Sequence, residues 1–277
     1  MDEPDSQERR FAARGRLVLA LIAVLIAIQA LRSVLSPDAD ARLVLTFAFV
    51  PASLARLFDP QAVAEAAATL VRRDAASVED IVLLLGPRGF RWWTVLTYAL
   101  LHGGWTHVLI NSVWLAAFGS AVARRFGAWR FLLFFFVTAA GGVAAHCLTH
   151  ALDFAPLVGA SAAISGAMAA AARFAFAPGA PLGPNARRGT LEAYEGPPLP
   201  LRHILRDSRV LAFLGTWFAA NLLFGAVATP IGVADASIAW EAHIGGFVAG
   251  LLLFRVFDPV RSAPELPVPP PFPTPPA

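Results

Sequence analysis

The chain has 277 residues, 57% of them hydrophobic and only 15% charged, with a mean hydropathy of +0.62. A water-soluble domain sits near half apolar and a quarter charged, so the composition excludes an ordinary soluble domain and indicates an all-α polytopic membrane protein. The net charge of +3 gives no nucleic-acid footprint, and a single cysteine, Cys147, excludes an internal disulfide.

In chain order, residues 1–16 form a charged tail with Arg9, Arg10, Arg14 and Arg16. A bilayer-crossing helix needs about 20 apolar residues, and the first run, Leu17–Leu35, is long enough. No small-residue cleavage pattern follows it closely, so a retained span is expected rather than a signal peptide. The next span is expected only at Gly104–Val122. Between them lies a long first outer loop, 36–103, in which Pro60–Arg73 has apolar positions at helical spacing. One or two short helices on the membrane surface are expected there, the alternative being a small folded cap. Four more spans are expected, at Phe131–Leu152, Leu157–Phe176, Val210–Ala228 and Ile238–Phe257. They complete a six-helix membrane domain over 17–257. The loop 177–209 is rich in proline and glycine. The tail 258–277 is proline-dominated and expected to be extended and disordered.

Arginines orient the bundle. Arg124, Arg125 and Arg130 follow the second span, and Arg187, Arg188, Arg202, Arg206 and Arg209 follow the fourth. The short loops after spans three and five contain none. By the positive-inside rule both termini are cytoplasmic.

On this map four unusual polar groups converge. Ser161 falls about four residues into span four, His243 about five residues into span six, and His107 with Asn111 near the start of span two. At about 1.5 Å per residue, Ser161 and His243 lie roughly 6–8 Å below the start of their helices, under the outer surface. A hydroxyl and an imidazole are costly in hydrocarbon unless they pair, and paired they form a base-activated nucleophile. His107 and Asn111, four apart, share a helix face and can offer donors to an oxyanion, as can backbone N–H groups around Ala160 and Ser161. Gly159, Gly246 and Gly250 belong to small-residue stretches that let membrane helices pack closely. Glu241, two residues from His243, points to nearly the opposite helix face, so a dyad is expected rather than a triad. Ser165, one turn from Ser161, is expected to bond a backbone carbonyl. His102 is read as structural. His146 and His150 have a spacing that suits zinc, but no carboxylate motif accompanies them in sequence, and they are read as a structural or interfacial pair. Trp92, Trp93 and Trp105 are read as an outer aromatic belt.

Taken together, His102, His107 through Asn111, Phe118-Gly119 through Arg125-Phe126-Gly127, Gly159-Ala160-Ser161 and Ala242-His243 through Gly250 resemble the rhomboid intramembrane serine proteases over roughly Phe90 to Phe257. The resemblance implies a six-transmembrane-helix rhomboid-like bundle. Ser161 would be the nucleophile, His243 the base, and His107, Asn111 and the backbone at Ala160 the oxyanion site. It implies cleavage of transmembrane or membrane-anchored protein substrates near the outer face of the bilayer, with no metal and no cofactor. A bacterial plasma membrane fits best. The chain departs from the family at Ala162, where glycine usually follows the serine. It also departs at Thr94, where a Trp-Arg pair is frequent, and at Ala123, where glutamate is common. Two other functions compete. A catalytically silent rhomboid-like binding factor usually lacks the serine or the histidine, and this chain has both. A small transporter should carry polar residues along its whole depth, whereas here they cluster at one level.

Overall fold

The computed structural model describes residues 6–86, 89–183, 185, 190–204, 206–222 and 239–260. The described residues are built from helices, with one isolated antiparallel bridge. In chain order these are α1 (Ser6–Val34), α2 (Pro37–Phe47), α3 (Pro51–Ala55), α4 (Pro60–Arg72), α5 (Val78–Leu85), α6 (Thr94–Thr97) and α7 (Trp105–Trp114). They continue as α8 (Ser120–Phe126), α9 (Ala128–His150), α10 (Ser161–Ala172), α11 (Glu192–Glu195), α12 (Leu201–Ile204), α13 (Ser208–Leu222) and α14 (Trp240–Phe257). A π-helical turn, Leu115–Gly119, joins α7 to α8.

Among the described residues, four stretches are long and apolar enough to cross a bilayer: Ala13–Val34, Trp105–Phe126, Ala128–His150 and Trp240–Phe257. The expected fourth span is different. Its helix, α10, begins at Ser161 rather than Leu157 and has only 12 residues, about 18 Å. It is short because Gly159 takes a left-handed φ of +125°, which interrupts any helix entering from Leu157. Lipid does not see the short helix: every residue of α10 after Ser161 is buried. The described part of the expected fifth span ends at Leu222; residues 223–228, residue 238 at the start of the expected sixth span, and the tail beyond 260 lie outside the described residues.

The first loop is the folded cap rather than isolated surface helices. Val50, Ala52, Val63, Ile81 and Leu85 from α3, α4, α5 and their approaches form a small core with Phe154. Local signals start its helices. Ser36 and Asp59 cap α2 and α4 from the side chain, and Ser77 with Asp80 makes a reciprocal capping box on α5. The cap is tied to the segment leading into α10 by the Phe49–Leu157 bridge, bonded in both directions at 3.2 and 2.7 Å, and by the Ala52 N–H donating to the Asp153 carbonyl. Trp93 and Trp105 do more than line an interface. Their indole N–H groups donate to the Thr46 carbonyl and the Ser33 hydroxyl, while Trp92 remains exposed.

Helices α9, α10 and α14 pack through small residues. A methyl group on Gly141 would fall 2.6 Å from the Ala249 side chain, and one on Gly245 would reach the Ala145 methyl and the Gly141 carbonyl. Gly246 and Gly250 lie equally close to the backbone of Ala162 and Gly166 on α10. Lipid tails are as apolar as leucine side chains, so such backbone-to-backbone contact, rather than hydrophobic burial, holds membrane helices together.

The opposite end of the bundle is locked by Arg125. Its guanidinium makes a bidentate pair with Asp258 at 2.8 Å and donates to the carbonyls of Tyr194 and Gly196 at 2.7 and 2.9 Å. It also lies over the Phe174 and Phe254 rings. Arg125 and Asp258 are both almost wholly buried. Removing one partner of such a pair strands the other charge, at a cost of about 3–5 kcal/mol. Arg125→Ala should therefore lower the thermal unfolding temperature in detergent by many degrees. Arg125→Lys should recover part of the loss, because lysine restores the charge but not the planar fork. An unchanged unfolding temperature in Arg125→Ala would show that the lock contributes nothing.

Candidate active site

Ser161 is the first residue of α10 and His243 the fourth of α14. The glycine contacts that join these helices bring the two side chains together. His243 Nε2 and Ser161 Oγ are 2.7 Å apart, a short hydrogen bond between residues 82 positions distant. Both residues are half-buried among the described residues. Ser165 lies deeper, 2% exposed, and donates its hydroxyl to the Ser161 carbonyl at 2.8 Å. Its proton is therefore committed to α10 itself.

His107 and Asn111 sit on α7. The Gly103 N–H donates to His107 Nδ1 at 3.3 Å. With Nδ1 accepting, the neutral ring carries its proton on Nε2. That nitrogen faces the Gly159 Cα: a methyl group on Gly159 would be 2.9 Å from His107 Nε2 and 3.6 Å from Ser161 Oγ. Gly159 was expected in helix packing, but it lies outside α10. Its lack of a side chain clears the space between the His107 ring and the serine. Asn111 is buried and donates its amide to the His107 carbonyl at 3.0 Å. This uses one of its two amide protons.

The Ala160 N–H points toward His102 Nε2 at a long 3.5 Å. His102 is buried, its carbonyl accepts a bond from Arg32, and its ring meets His107 edge-on at 5.0 Å. Burial, reinforced by the neighbouring His107 and Arg32, pushes the His102 imidazole down to about 3. It therefore stays neutral at working pH and keeps a lone pair for Ala160. Arg32 is also paired with Asp40, so this strap runs from α1 through α2 to the histidine.

A family model for the Rhomboid domain matches residues 89–258, more than half of the chain and all four polar positions. The chain belongs to the rhomboid family. It is accordingly a multi-pass membrane protein of the all-α rhomboid architecture. Two relatives from Bacillus subtilis (strain 168) match part of the chain. The rhomboid protease homologue YdcA is 40% identical over 82 residues, 30% of this chain and 41% of YdcA. The rhomboid protease GluP is 37% identical over 79 residues, 28% of this chain and 15% of GluP. The chain thus spans less than half the length of either relative.

Two departures from the usual rhomboid pattern have a structural account. The Ala162 methyl does not point at the serine. It fills the space opposite Gly142 on α9, where a second methyl would approach it to 2.5 Å. Thr94 is buried and donates its hydroxyl to the Arg91 carbonyl at 2.6 Å, which satisfies it within its own turn.

Tyr98, which no motif marks, also shapes the site. It is fully buried, donates its hydroxyl to the Ala139 carbonyl at 2.8 Å, and accepts the Gly159 N–H on its own carbonyl at 3.0 Å. Tyr98 thereby holds the turn before Ser161 against α9. A tyrosine inside an otherwise apolar stretch was the available signal, since a buried phenol must find a partner.

Proposed function

We propose that the protein is an intramembrane serine endopeptidase that cleaves transmembrane or membrane-anchored proteins through a Ser161–His243 dyad. The observation that carries the reading is the 2.7 Å contact between Ser161 Oγ and His243 Nε2, at the head of a helix enclosed by others. His243 takes the hydroxyl proton as Ser161 attacks the peptide carbonyl, then returns it to the leaving amine. Negative charge builds on the former carbonyl oxygen. His107 Nε2–H, the second amide proton of Asn111 and the Ser161 backbone N–H are the donors for it, whereas the Ala160 N–H, expected among them, is turned to His102 instead. The start of α10 adds the favourable end of a helix dipole. Water then releases the acyl group through the half-open site. None of these steps needs a metal or a cofactor.

The arginine pattern supports an orientation with the dyad toward the outer face. Arg124, Arg125 and Arg130 lie at the opposite ends of the Trp105–Phe126 and Ala128–His150 spans from Trp105 and His150, and the positive-inside rule puts that end in the cytoplasm. A substrate helix must unwind to present an extended segment, because a regular helix keeps its carbonyls bonded. The test is cleavage of a single-span protein in proteoliposomes, with products sized by mass spectrometry. A cut near the outer end of the substrate helix supports the reading. Equal cleavage by wild type and Ser161→Ala overturns it, and binding of the substrate without cleavage by wild type would favour a silent binding factor.

A further inference from the structure

The Glu241 carboxylate, turned away from His243, reaches α9. Its two oxygens lie 3.7 Å from His146 Nδ1 and 3.6 Å from His150 Nδ1. The two imidazoles are one helical turn apart and stack almost parallel, with centroids 4.9 Å apart and planes at 7°. One ligand atom from each of the three residues falls within 4.8 Å of the others. His146 is 6% exposed, and its Nδ1 is buried without a hydrogen-bond partner, facing the carboxylate at a separation too long for a hydrogen bond. His150, 44% exposed at its side chain, opens the cluster to solvent, and its Nδ1 shares a 2.9 Å contact with the Thr149 hydroxyl.

We propose that His146, His150 and Glu241 form a non-catalytic zinc site that clamps the first turn of α14 to the end of α9. Two imidazoles and one carboxylate, with water in the fourth position, make a tetrahedral donor set that suits zinc. Ligand atoms about 2.0–2.1 Å from a tetrahedral ion stand roughly 3.3 Å apart, so the cluster, whose ligand atoms lie within 4.8 Å of one another, must draw in, and the stacked imidazoles must turn out of parallel so that both lone pairs meet one ion. Zinc would satisfy the buried Nδ1 of His146, which has no hydrogen-bond partner. Thr149 releases His150 Nδ1, and its hydroxyl keeps its bond to the His146 carbonyl at 3.2 Å. The ion joins two helices whose contact places His243 two residues further along α14.

The experiment is calorimetric titration of zinc into the chelator-treated full chain in detergent, with the unfolding temperature followed in parallel. Wild type is expected to bind one zinc per chain and to unfold at a higher temperature with the metal. His146→Ala and Glu241→Gln should each weaken binding at least tenfold. His150→Gln lies at an exposed helix end, where folding is least at risk, and should weaken it to the same degree. His243→Ala should bind as wild type does. Undiminished binding by His150→Gln, no binding by wild type, or loss of binding in His243→Ala with retention in His150→Gln would each overturn the proposal. Because binding is read directly, these outcomes do not depend on whether the protein cleaves a substrate.

Discussion

Ser161→Ala is expected to lower the cleavage rate of a membrane-anchored substrate by about 10⁴-fold or more, and His243→Ala by a similar factor. Each removes one half of the pair that meets at 2.7 Å. Without the hydroxyl there is nothing to acylate, and without the imidazole the hydroxyl keeps its proton. The two effects should not add. A double variant should be about as slow as the slower single one, because two groups serving one proton transfer fail together. Single-turnover kinetics in proteoliposomes check this, with substrate binding measured separately to show that both variants still capture it. Multiplicative losses would mean that the two residues act in different steps. Unchanged rates would remove the dyad altogether.

Gly246→Val is expected to have the next largest effect, through geometry rather than chemistry. A side chain there falls on the Ala162 peptide, 2.6 Å from its carbonyl carbon and 3.0 Å from its Cα. Backbone cannot rotate out of the way as a flexible side chain would, so α14 must move off α10. Overpacking of this kind costs about 1–3 kcal/mol. A shift of about 1 Å between Ser161 and His243 costs on the order of 10²-fold in rate. Val248→Ala, on an exposed face of the same helix, is the control and should change neither quantity. Thermal unfolding and cleavage kinetics on both variants decide the matter. Full activity in Gly246→Val would show that the close approach of α10 and α14 does not hold the dyad.

The same helix pairing shows why much of the site was legible in the sequence. Two polar residues in separate apolar spans had few ways to be satisfied except by each other, and the small residues around Ser161 and Gly246 announced that their helices touch. Arginine placement gives an expected orientation of the spans that makes no reference to the candidate site. Other features depended on the path of the backbone. The apolar run from Leu157 looked helical throughout, yet one left-handed glycine delays α10 to Ser161. Glu241 looked isolated because its partners, His146 and His150, are about 90 residues away on another helix. Arg125 looked like one of several cytoplasmic charges, and only the return of Asp258 and the Tyr194–Gly196 carbonyls made it a buried lock. The cap was ambiguous because its core is small and borrows Phe154 from the loop before α10.

The most direct measurement is peptide mapping of a fluorophosphonate adduct on the full chain in a lipid bilayer. The reagent reacts with a hydroxyl whose proton a neighbouring base removes. One adduct per chain is expected, on Ser161, which disappears in His243→Ala while Ser165→Ala keeps it. An adduct on Ser165, or labelling of Ser161 that persists undiminished without His243, would contradict it.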